Sequence, residues 1–159
     1  MFGVYYHKGQ TKVGWMKTFT LDEAQSLLPI LESLLRRAIE GKASAGQVEA
    51  ELQMLSQNIF LAGGMLVDVA AVARKRMGQR AAVQQAQDAI QEIDSIGVQV
   101  KDLDKGLLDF PFQAGEQIVL LCWQLGEAKI DYWHTVEAGF QGRQPLDERF
   151  LKSRPERPN

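Results

Sequence analysis

Cysteine is the scarcest chemical resource of this sequence: Cys122 stands alone among 159 residues. An intrachain disulfide and a cysteine-built zinc cage are therefore both excluded. A lone thiol suits a reducing compartment, so the expected location is the cytoplasm. Long apolar runs are also missing, and none reaches the ~18 residues that a membrane-spanning helix requires. Met1–Gly9 lacks a basic start, an apolar stretch and a small-residue cleavage site, so it does not read as a signal peptide. Net charge is small, with 18 Lys+Arg against 20 Asp+Glu. That balance points neither to nucleic acid nor to a membrane surface as a partner. No phosphate-binding glycine loop, dinucleotide fingerprint, His-Glu-x-x-His or Gly-x-Ser-x-Gly occurs, so no cofactor is implied by motif.

What is present suits one globular domain: 45% apolar and 24% charged residues in a chain long enough to bury a core. The predicted fold class is α+β, a long N-terminal helical hairpin or bundle followed by a small antiparallel β-meander. Thr20-Leu21-Asp22-Glu23 reads as a capping box that starts the first helix. Met16 just precedes it and is the expected natural start. Residues 1–15 are then a non-native or mobile extension, with a strand through Val4–His7 as the alternative. The single domain is expected over 16–146, with helices over about 21–96, a β-region over about 98–135, and a mobile tail at 147–159.

Apolar residues recur at helical spacing from Ala24 to Ala38, with Pro29 expected to kink the helix and Gly41 to end it. Residues 42–46 read as a short link. A second stripe runs from Val48 to Met77 and resumes from Val83 to Ile93. A bend or break is expected at Gly63-Gly64 or Gly78, and the Gly pair is read as a point of close helix–helix approach. Arg74, Lys75, Arg76 and Arg80 form a basic patch without interleaved aromatics, which reads as a solvated face.

Gly97 ends the helices and the apolar period changes to two. Strands are expected over 98–101, 107–112, 117–125 and 129–134, with Pro111 marking an edge or a bulge. A tight turn at Gly126-Glu127 would put Leu121, Trp123, Tyr132 and His134 on one face, and Leu120, Cys122, Asp131 and Trp133 on the other. A bulge would exchange these sets. One Trp is then expected in the core and the other partly exposed.

Several ordered motifs carry a family resemblance. They are Thr18-Phe-Thr-Leu-Asp-Glu-Ala24 with Leu28-Pro29, Gly63-Gly64, Val100-Lys-Asp-Leu-Asp104, and Gly106-Leu-Leu-Asp-Phe-Pro111. Leu121-Cys122-Trp123 with Gly126-Glu127, Tyr132-Trp133-His134, and Ala138-Gly139-Phe140 with Gly142-Arg143 follow. Over about residues 18–146 the chain resembles the prokaryotic domain-of-unknown-function family 2203. The resemblance implies a small prokaryotic protein and no established activity.

Asp88 to Glu137 holds ten acids and three bases, a local negative field. The candidate ligand-binding residues lie there and just beyond: Asp102, Asp109, Glu127, His134 and Arg143. His134 is read as a general base or metal ligand, or else as a hydrogen-bonded structural histidine. Asp102 and Asp104 are weak metal candidates with it. Their spacing is no EF-hand, because the fifth position is Gly106 and the twelfth Gln113. A turn-forming Asp pair is the plainer reading. Cys122, inside Val-Leu-Leu-Cys-Trp, reads as a packed hydrophobe rather than a nucleophile. Arg143 is expected to pair with a ligand carboxylate or with Glu127. If the β-region binds anything, Asp102, His134 and Arg143 are expected to converge in one cleft.

The stripes exceed what a small sheet can cover. The leading expectation is accordingly a non-enzymatic interaction or scaffold protein, a homo-oligomer joined through its helices. The alternative is a small-molecule or divalent-metal binding protein, or an enzyme, with its site on the β-region.

Overall fold

The computed structural model describes residues 17–152; the extension 1–15 lies outside them. Helix α1 spans Leu21–Leu61 and helix α2 spans Val69–Ile96. Strands β1 (Gln99–Asp102), β2 (Leu107–Ala114), β3 (Gln117–Gln124), β4 (Tyr132–Thr135) and β5 (Gln144–Pro145) follow, then α3 (Glu148–Leu151). The strands form one antiparallel meander in the order β1-β2-β3-β4-β5. The architecture is the expected α+β.

The capping box forms as read. The Thr20 hydroxyl accepts the Glu23 amide at 3.1 Å, and the Glu23 carboxylate accepts the Thr20 amide at 2.9 Å. Helix α1 does not stop at Gly41, however, and residues 42–46 are no link but part of its 41 residues. The physical reason is packing. A Cβ at Gly41 would lie 2.6 Å from the Ala82 carbonyl and 3.1 Å from the Ala86 Cβ, so the missing side chain lets α2 come close. The Gly63-Gly64 pair, read as that close approach, instead makes the turn between the helices. Both residues have positive φ, and the space where a Cβ would stand is open for 4 Å around. Gly41→Ala is therefore expected to destabilise by about 1–3 kcal/mol through overpacking. Gly78→Ala, in open space on α2, should stabilise by up to ~1 kcal/mol through helix propensity. Thermal melts of the two variants should move in opposite directions.

The sheet packs on only part of the hairpin. Ala24, Leu28, Leu31, Leu34, Leu35 and Ala38 of α1, with Ala89 and Ile93 of α2, meet Leu108, Phe110, Phe112, Val119, Leu121 and Trp123. Beyond Ile39 no apolar residue of α1 joins this core. At 1.5 Å per residue, the stretch from there to Leu61 is roughly 33 Å long. After the ion pair from Lys42 to Asp104 near its start, the two helices pack on each other.

Two local features differ from expectation, and the Pro111 edge is as read. Leu121 pairs with Trp133 and Leu120 with His134, so the two face sets are exchanged and both Trp side chains point to the helices, Trp123 at 1% and Trp133 at 9% exposure. The cause lies in the β3–β4 connection, which runs from Leu125 to Asp131 instead of turning tightly at Gly126-Glu127. Within it Ile130 is buried, its amide held by the Gln25 side chain at 2.9 Å. Pro111 sits where β1 has already ended, and its carbonyl accepts the Phe19 amide at 2.8 Å; the strand is a local edge there. The first part of the expected mobile tail is instead the helix α3, because Phe150 is buried against Phe112 and Trp133 with ring centroids 4.9 and 5.5 Å away.

Candidate functional site

Register builds the site. Asp109 on β2 lies opposite Cys122 on β3, and Cys122 lies opposite Tyr132 on β4. His134 is two residues beyond Tyr132, so alternation returns it to the same face. Three adjacent strands thus present a carboxylate, a thiol and an imidazole on the sheet face turned away from the helices. All three are buried, and their ligating atoms lie within 4.8 Å of one another.

His134 is held at both nitrogens. Nδ1 lies 2.8 Å from the Thr135 carbonyl and Nε2 lies 3.1 Å from Asp109 Oδ1. A carbonyl only accepts, so Nδ1 carries a proton. Nε2 is then the nitrogen left to meet the Asp109 carboxylate. Cys122 lies beside it, and burial, reinforced by the Asp109 charge, pushes its thiol up to about 12. This is no catalytic triad. A base needs its nucleophile on one ring nitrogen and its orienting carboxylate on the other, whereas here a backbone carbonyl occupies Nδ1. The raised thiol also fits the packed, unreactive reading of Cys122.

A second cluster stands near the first. Arg143 donates to Glu127 Oε1 at 2.6 Å. Its guanidinium lies 4.1 Å from the Tyr132 ring centroid and 4.8 Å from that of Phe140. Glu127 is a hub: its other oxygen accepts the Gln124 amide at 2.8 Å, and its carbonyl accepts the Trp123 indole N–H at 2.9 Å. The expected Glu127–Arg143 ion pair is therefore formed, and it ties the segment after β4 back to the β3–β4 connection.

Asp102 and Asp104 take the turn role. Asp102 Oδ1 accepts the Lys105 amide at 3.0 Å, and exposed Asp104 pairs with Lys42 at 2.6 Å. His134 accordingly does not pair with Asp102, Asp104 or Glu127; its partner is Asp109. The expected convergence of Asp102 with His134 and Arg143 gives way to two separate pairings, since the Asp102 carboxylate is turned to its own loop. Cys122 is the member of the buried cluster that sequence reasoning passed over. The signal for it was register, because Cys122 opposes Asp109 only once the β2–β3 hairpin is fixed at Ala114–Gln117.

No curated protein and no solved structure matches this chain. Residues 17–146 match the model of the uncharacterised conserved proteins DUF2203, and by that extent of match the chain belongs to this family.

Proposed function

We propose that the protein is a non-enzymatic assembly protein of the prokaryotic cytoplasm, and that it self-associates through the end of its helical hairpin. The observation that supports this reading is the apolar surface there. Phe60 is 84% exposed, Leu61 80%, and Leu66 entirely, with Met54, Met65, Val69 and Met77 exposed around them. Their placement follows from the fold: the sheet ends long before the hairpin does, so among the described residues nothing in the core reaches these side chains. Single exposed apolar residues need no explanation, but seven large ones within residues 54–77, at one end of the fold, favour an interface there.

A second copy of the same chain is the fitting occupant. Two hairpin ends meeting about a two-fold axis would present the same patch to each other, the commonest arrangement of homo-oligomers. One large aromatic offers about 150 Å² or more. Seven large side chains together approach the ~800 Å² that each partner buries in a standard interface. Light scattering at micromolar concentration should give a mass above the 17.8 kDa of one chain. The double variant Phe60→Glu with Leu66→Glu should give a monomer with unchanged helicity. A wild-type protein that stays at 17.8 kDa would overturn the proposal.

A further inference from the structure

We propose that Asp109, Cys122 and His134 form a binding site for a borderline-soft divalent transition ion of the zinc or cobalt class. The proposal is independent of the assembly reading and rests on three features of the buried cluster.

The first is geometry. Zinc binds nitrogen at about 2.0–2.1 Å, carboxylate oxygen at about 2.0–2.2 Å and thiolate at about 2.3 Å. A tetrahedral ion then holds its donor atoms ~3.3–3.7 Å apart. Here Nε2 and Oδ1 are 3.1 Å apart, and the whole set lies within 4.8 Å. Binding would draw the sulfur inward by about 1 Å from the 4.8 Å bound of the set to tetrahedral range.

The second is orientation. Metal-bound histidines characteristically donate their other ring N–H to a carbonyl or carboxylate, which fixes the tautomer. The Thr135 carbonyl does this at Nδ1, leaving Nε2 to face Asp109. The third is the charge of the donor set. Thiolate, carboxylate and imidazole together carry two negative charges, which one divalent cation neutralises, and the protons displaced on binding go to solvent. Sulfur and nitrogen donors select zinc-like ions over magnesium or calcium, which require oxygen.

The full chain, stripped with a chelator and titrated with Co²⁺, tests the site. The expected result is one ion per chain, a thiolate-to-cobalt charge-transfer band in the near ultraviolet, and intense tetrahedral d–d bands that Zn²⁺ abolishes. Cys122→Ser should lose the charge-transfer band while keeping its far-ultraviolet circular dichroism, and Asp109→Asn should bind Co²⁺ at least tenfold more weakly. A wild-type protein showing no such band, or only weak octahedral absorption, overturns the proposal whatever the variants do. A band that persists in Cys122→Ser overturns it equally.

Discussion

His134→Ala is expected to lower the unfolding free energy by about 3–5 kcal/mol, the usual consequence of removing one partner from a buried ionisable pair. Urea unfolding with a chelator present in every sample measures it, and the corresponding fall in Tm is roughly 10 °C or more. The size follows from what is left behind. Asp109 is 2% exposed and would face an empty space where Nε2 stood. The carboxylate must then stay charged without its partner or take a proton, and either costs free energy. Asp109→Asn should be far milder, about 1 kcal/mol, because a neutral amide can still meet Nε2 while Nδ1 keeps the Thr135 carbonyl. An His134→Ala variant within about 1 kcal/mol of wild type, the scale of one ordinary hydrogen bond, would show that the pair contributes little to the fold.

Element types were legible because their signals are local: the capping box at Thr20, the left-handed stop at Gly97 and the change of period at Val98 each act within a few residues. Gly41 misled because its reason is not local. Helix propensity and C-terminal signals argue for a stop there, but the close approach of Ala82 and Ala86 on the second helix makes a small residue inside a continuing helix favourable. Sheet faces were misread for a related reason. A face depends on the parity of the β3–β4 connection, and that parity is set by Ile130 tucking inward and by Gln25 holding its amide across the domain.

Of the candidate residues, Glu127 with Arg143 was legible as one of the two pairings read for Arg143, because their opposite charges stand on either side of strand β4. His134 was legible as a buried or liganded group, but its partner was not. Asp109 and Cys122 sit in strands whose residues are buried on both faces, so no alternation of apolar and polar residues distinguished the face that carries chemistry from the one that packs on the helices.

Trp123→Ala is expected to cost about 3–5 kcal/mol, as large-to-small changes at a buried aromatic do. Trp123→Phe should cost about 1–2 kcal/mol, because most apolar contact survives and one hydrogen bond is lost. The pair of variants separates two roles of one side chain. Its ring is 1% exposed in the core, while its indole N–H reaches the Glu127 carbonyl at 2.9 Å. Glu127 in turn holds Arg143, whose guanidinium covers Tyr132 and Phe140. Losing only the indole bond should therefore loosen residues 136–143 more than it weakens the whole domain. Hydrogen exchange of Trp123→Phe should show faster exchange there with little change in α1, whereas Trp123→Ala should accelerate exchange throughout. Equal acceleration of α1 and residues 136–143 in Trp123→Phe would mean that the indole bond does not anchor the segment, and that Arg143 alone holds it against the sheet.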